Sequence, residues 1–295
     1  MKQFKAEEGI LIFSEARGGS TWLMEVLSNI PKTVINWEPL HVNKGVIPAK
    51  YNWGWRPFIS EENKNSDFLK TIQQLLAFKI HTSWTLRFCG IKKLIRSKIV
   101  ITKFVRANLL LPFILKNVEL KHKPILLLRH PIDTCLSQMK TFKQDYNTIK
   151  PSELPTTINN ARYIEHQNYL KQLQTPLEYK VANWCLNNVS TLNHKEAINK
   201  SIIVFYEDLV LDPSTEFKRI LIELELGTDS DSILTSVSFT KASRTNYQGE
   251  LKNDPKEQLY KNFKQLDSKV KEDIQKVFNY FNFTLYDAYS PYPKN

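Results

Sequence analysis

Five short apolar runs recur along the first two-thirds of this chain: Gly9–Ser14, Thr33–Trp37, Lys98–Lys103, Pro124–Arg129 and Ser201–Tyr206. They do not alternate cleanly between apolar and polar residues, as strands wetted on one face do. Continuous apolar strands are buried on both faces, the signature of a largely parallel sheet covered by helices. The intervening segments supply those helices. Trp22, Leu23, Val26 and Leu27 fall at helical spacing within Ser20–Asn29. Further helices are expected over Asp67–Phe78, Leu109–Asn117, Pro131–Phe142, Ala161–Leu173, Pro176–Ile198, Asp212–Leu226 and Ser268–Phe281. Pro131 suits a first helical position, and Asp212 is a candidate N-cap. Strands interleaved with helices give an α/β fold. Because the strands run on from residue 10 to residue 206, one domain over 1–295 with helical insertions fits better than two.

Other features narrow the class. With 295 residues, 42% of them hydrophobic, the chain can bury a core without disulfide or metal staples. Cys89, Cys135 and Cys185 are odd in number and lack CxxC spacing, which speaks against a disulfide framework or a thiolate zinc site. A reducing, cytoplasmic setting is the simplest reading. No window approaches the roughly 20 apolar residues of a membrane span. The charged segment before Ile10 does not resemble a signal peptide. A net charge of +11 implies an anionic partner without saying which one.

The stretch Ile10–Leu23 carries the first chemical signal. A strand leads into Glu15-Ala16-Arg17-Gly18-Gly19-Ser20-Thr21-Trp22, and a helix follows. Glycines allow close backbone approach, and the helix N-terminus directs free N–H groups and partial positive charge at an anion. Ser20 and Thr21 add hydroxyls, and Arg17 adds a cation. The plainer alternative, a capped strand–turn–helix, stays open on this segment alone. The loop is not a Walker A motif, since Gly19 stands where Lys would precede the hydroxyl residue. We therefore assign the cationic role to Arg17. The second signal lies in Leu128-Arg129-His130-Pro131 and Ser137, eight residues beyond Arg129. Arg129 sits at a strand's C-terminal end, where open α/β sheets bind ligands, and an Arg fork with a Ser hydroxyl can grip a phosphate. A surface Arg and an unrelated Ser remain the plainer alternative.

Together and in this order, the two segments resemble the sulfotransferases that use 3′-phosphoadenosine 5′-phosphosulfate (PAPS). The resemblance implies a P-loop-like three-layer α/β/α fold with a central, mostly parallel sheet. It implies that Arg17, Gly18, Gly19, Ser20, Thr21 and Trp22 hold the 5′-phosphosulfate. Arg129 and Ser137 would hold the 3′-phosphate. Tyr206-Glu207-Asp208-Leu209, followed by Asp212-Pro213, is similar to a later strand-end element of the family. His130 stands where the family often has Asp. The layout from Trp37-Glu38-Pro39-Leu40-His41 through Lys103-Phe104-Val105-Arg106 to Ser137 is closest to carbohydrate-type and bacterial members. The resemblance places the general base at Glu38, with His41 second because an imidazole titrates near neutrality. Late in the chain, Arg244 can supply a further cation to the 3′-phosphate.

The expected activity is transfer of a sulfuryl group from PAPS to a hydroxyl of a carbohydrate or other small molecule, leaving PAP, with no metal required. Two other readings compete. A degenerate P-loop kinase lacks the loop Lys and a strand-end Asp for Mg²⁺. A basic nucleic-acid-binding protein is permitted by the charge, but no recognised motif supports it. Acceptor identity and oligomeric state are not legible.

Overall fold

A computed structural model describes residues 4–48, 51, 53–142, 161–226, 230–235, 237, 239 and 254–294. Five strands, β1 (Ile10–Ser14), β2 (Thr33–Trp37), β3 (Ile99–Val105), β4 (Ile125–Leu128) and β5 (Ile202–Phe205), form one sheet in the order β2-β3-β1-β4-β5. Every pairing is parallel. The helices among the described residues are α1 (Ser20–Leu27), α2 (Ser66–Leu76), α3 (Ile91–Arg96), α4 (Leu111–Asn117), α5 (Pro131–Phe142), α6 (Ala161–Glu165) and α7 (Gln167–Leu170). They continue with α8 (Pro176–Leu192), α9 (Lys195–Asn199), α10 (Tyr206–Leu211), α11 (Pro213–Glu223), α12 (Ser230–Thr235), α13 (Pro255–Tyr260) and α14 (Ser268–Tyr280). None is long and apolar enough to cross a membrane.

Successive strand residues face opposite sides of the sheet, and the core divides accordingly. Ile10, Ile12, Ile35, Ile101, Leu127 and Val204 pack with Leu23, Met24 and Leu27 of α1 and with Phe217 and Ile220 of α11. Leu11, Phe13, Phe104, Leu126 and Leu128 pack on the other face with Ile72, Leu75 and Leu76 of α2 and with Phe113 and Ile114 of α4. A third cluster joins α5, α8 and α14 through Ile132, Cys135, Val181, Trp184, Ile274 and Phe278. Helices thus cover both faces, which is why the strands carry so few polar residues.

Several expected boundaries shift. The helix expected over 161–173 divides at His166 into α6 and α7. The helix expected over 176–198 ends at Leu192; His194 then caps α9, its Nδ1 accepting the Ala197 amide at 3.1 Å. A side chain that caps the backbone competes with helix continuation. Four short helices, Ile91–Arg96, Tyr206–Leu211, Ser230–Thr235 and Pro255–Tyr260, fall outside the expected ones. Asp212 does cap α11, accepting the Thr215 amide at 3.1 Å. The polar stretches expected over 143–155 and 241–254 lie, but for Asp254, outside the described residues.

Sheet order fixes where a ligand can sit. From β1 the chain crosses to β2 on one side; from β4 it passes to β5 on the other. The carboxyl ends of β1 and β4, adjacent in the sheet, therefore flank a topological switch point, where open α/β sheets form their binding crevice. The loop after β1 and Arg129 after β4 both stand there.

Candidate functional site

The loop after β1 folds back tightly. The Gly18 amide donates to Glu15 O at 3.0 Å, and a Cβ on Gly18 would meet Ser14 Oγ at 2.3 Å. Gly19 adopts φ 94, a left-handed conformation that L side chains rarely take, and a Cβ there would meet the Tyr206 ring at 2.6 Å. Gly19 also occupies the N-cap of α1, so no side chain caps that helix. Its first amides are left to serve a ligand. Ser20 is buried in the first turn. Trp22 is half-buried and packs against the core and Phe239, with ring centroids 6.1 Å apart.

The second segment closes on the first. Arg17 Nε donates to Ser137 Oγ at 3.2 Å, and Arg129 Nη1 donates to Arg17 O at 2.9 Å. Gln138 Nε2 donates to Ala16 O at 2.9 Å. Arg129 is itself held from three sides. Its Nε donates to Asp133 Oδ2 at 2.8 Å, its Nη2 pairs with the same oxygen, and its guanidinium lies over the Tyr206 ring at 4.3 Å. Burial would lower the Arg129 pKa, but Asp133 and Tyr206 more than offset it and hold it above the ordinary value. Arg17 is lowered instead, first by burial and then by Arg129. Two neighbouring guanidiniums repel, and an anion between them would relieve both.

Glu207 fixes the turn that presents Arg129. Its carboxyl accepts the His130 amide at 2.9 Å and the Tyr286 hydroxyl at 2.7 Å, and burial pushes it up to about 7. His130 points away from the crevice: Nε2 meets Asp287 O at 2.9 Å and Nδ1 accepts the Ile132 amide at 3.2 Å. Asn262 donates to Asp133 Oδ1. The adjacent Lys261 has its pKa lowered by burial and by Arg129. Lys261 thus feels the charge of Arg129 and Arg17; Arg244, the late cation expected for the 3′-phosphate, lies outside the described residues.

Lys103 was not singled out as a site residue, yet it stands in the middle of the site. It shares strand parity with Ile101, so it projects toward α1, where its Nζ reaches Thr21 Oγ1 at 3.1 Å. Glu38 pairs with it at 2.9 Å, and the Trp37 ring lies 3.6 Å away. Burial lowers its pKa and Glu38 acts against that. A lysine thus does attend the loop hydroxyls, delivered from β3 rather than from the loop. Glu38 follows β2 at φ 40 and closes a turn in which its carbonyl accepts the His41 amide at 3.0 Å. The His41 ring packs between Trp55 and Trp84, each with its centroid 4.9 Å away, and its Nδ1 accepts the Asn43 amide at 3.3 Å. Burial lowers its pKa, opposed by Glu38 and assisted by Lys44 and Arg106.

A cavity of about 650 Å³ adjoins the segment around Trp53 and Phe58, with Arg162, His166, Leu186 and Tyr280 among its walls. None of the crevice residues from Arg17 to Thr21, nor Arg129 or Ser137, lines it.

A family model described as a sulfotransferase domain matches residues 7–287. The fold is similar to a mouse sulfotransferase, SULT7A1, complexed with PAP (19% identity, 94% of this chain and 85% of that one, TM-score 0.44). It is also similar to a sulfotransferase domain from the curacin biosynthetic pathway (14% identity, 93% and 98%, TM-score 0.45). A third similar structure is a sulfotransferase domain from the Synechococcus PCC 7002 olefin synthase (15%, 95% and 98%, TM-score 0.43). No curated protein sequence matches the chain. On the family match, which covers all five strands, the glycine turn after β1, the Arg129–Ser137 segment and the Lys103–Glu38 pair, this chain belongs to the sulfotransferase family.

Proposed function

We propose that the chain transfers a sulfuryl group from PAPS to an acceptor hydroxyl, and that the crevice between β1 and β4 holds the nucleotide. The observation that supports this most is the joining of the two anion-binding segments by Arg17–Ser137 and Arg129–Arg17 hydrogen bonds. The donor set fits a molecule with phosphates at two ends. The glycine turn, the uncapped α1 amides, Ser20, Thr21 and Lys103 would hold the 5′ end. Arg129, Ser137 and Lys261 would hold the 3′-phosphate. Bound there, PAPS supplies an activated sulfuryl group that passes to the acceptor oxygen with loss of PAP.

The chain's own contribution is positioning and charge. Arg17 and Lys103 stabilise negative charge near the α1 N-terminus. Glu38 accepts the proton of the acceptor hydroxyl. It is partly exposed and pairs with Lys103 at 2.9 Å beside the α1 N-terminus. His41 is the weaker choice, because its Nδ1 lone pair already accepts the Asn43 amide. Three free cysteines suit a reducing compartment. The test is transfer of label from [³⁵S]PAPS to a mixed panel of sugars, phenols and alcohols. The reading predicts labelled product that needs no added ATP. Stoichiometric transfer from ATP instead would favour the kinase alternative.

A further inference from the structure

Both carboxylates that act on Arg106, Glu15 and Glu38, are already paired with other cations. Glu15 pairs with Arg56 at 3.0 Å, and Glu38 pairs with Lys103 at 2.9 Å. Arg106, three residues beyond Lys103, feels both carboxylates but is bound by neither. Among the described residues its guanidinium makes no hydrogen bond or ion pair. It lies over two rings, 4.8 Å from the Trp55 centroid and 5.1 Å from the Phe142 centroid. Those rings are themselves unusually exposed for their size, at 44% and 41%.

The backbone holds Arg106 in this place deliberately rather than by chance of a floppy side chain. Its φ is 62, uncommon for a residue other than glycine, and its amide donates to Ser14 O at 2.9 Å at the end of β1. Burial, then the neighbouring Arg56, push its pKa down to about 10, so it stays charged at neutral pH. A guanidinium carries five N–H donors and cannot shed its charge near neutrality. Ring contacts of this kind do not use the N–H donors, which bind oxyanions in a fork.

We propose that Arg106 anchors an acidic group of the acceptor: a carboxylate, sulfate or phosphate carried close to the hydroxyl that is sulfated. Trp55 and Phe142 then flank the acceptor's body. This deepens the sulfotransferase reading and rests on it. It selects acidic acceptors over neutral ones and names the residue that makes the selection.

The experiment compares 4-hydroxyphenylacetate with 4-hydroxyphenylacetamide, which differ in charge at nearly constant shape. Each is titrated into the PAP-loaded protein and assayed as an acceptor from labelled PAPS. The wild type should favour the acid tenfold or more. Arg106→Gln should bring that preference toward unity, Arg106→Lys should retain part of it, and the PAP dissociation constant should stay within about twofold in both. A wild type that shows no preference, or binds neither probe, overturns the proposal. So does a preference that survives Arg106→Gln. Loss of PAP affinity in Arg106→Gln alone would move Arg106 into the nucleotide cradle and also overturn it. Failure of the wild type to bind PAP would instead sink the sulfotransferase reading beneath it.

Discussion

Gly19→Ala puts the geometry of the glycine turn under direct test. At φ 94 an L residue occupies a disfavoured region, at a cost of about 1–2 kcal/mol. The new Cβ would also stand 2.6 Å from Tyr206 Cδ2, so the ring must move. That ring lies over Arg129 at 4.3 Å, a contact worth about 0.5–2 kcal/mol. Together these give a loss of about 1.5–4 kcal/mol. At about 2.1 cal/mol/K per residue, a 295-residue chain should melt about 2–6 °C lower. PAP affinity should fall about tenfold or more, because both the turn and Arg129 are disturbed. Calorimetric melting and PAP titration read the two effects separately. Gly19→Ala with Tyr206→Ala should recover the clash but not the backbone cost. Gly90→Ala is the control: its Cβ would meet nothing within 4 Å, and it should be neutral or stabilising by about 0.4–1 kcal/mol. A Gly19→Ala protein that melted with the wild type and bound PAP equally well would refute the reasoning.

Other expectations follow from the same contacts. Glu38→Gln should lower kcat by about 10²–10⁴-fold and leave PAP binding within a few-fold, measured by single-turnover transfer and titration. Lys103→Met, which strands Glu38 beside an apolar neighbour, should cost about 3–5 kcal/mol in denaturant unfolding, and adding Glu38→Gln should restore part of that loss. His130 gives an acid limb. Its imidazole is pushed from 6.5 down to about 4 by burial, so the unfolded chain holds the proton more tightly. Its contribution is complete above pH 6.5 and is lost as pH falls through 4, at about 1.4 kcal/mol per pH unit. Urea midpoints in His130→Asn should show a shallower decline over that window.

The sheet was legible because each strand is an unbroken apolar run, and burial on both faces demands that. The meeting of the two loop segments was also open to reading, since the glycine, hydroxyl and arginine patterns of Arg17-Gly18-Gly19-Ser20-Thr21 and of Arg129 to Ser137 stand in local sequence at the ends of β1 and β4. Lys103 was harder. A lone lysine inside Ile99–Val105 is the available signal, but its partners Thr21 and Glu38 are 82 and 65 positions away and meet it only through β1–β3 and β2–β3 register. Tyr206 and Glu207 likewise gain their places through β4–β5 pairing, which sets them beside Arg129 and His130. The breaks at His166 and Asn193–His194 escaped because apolar spacing continues across them. Arg106 has no local signal at all. Its meaning comes from two carboxylates already taken by other cations.

A crystal structure with PAP bound tests the central claim most directly. The account predicts the 5′-phosphate on the α1 amides near Arg17 and Lys103, and the 3′-phosphate on Arg129 and Ser137. Density for the nucleotide in the 650 Å³ cavity beside Trp53 and Arg162, with the crevice between β1 and β4 untouched, would contradict it.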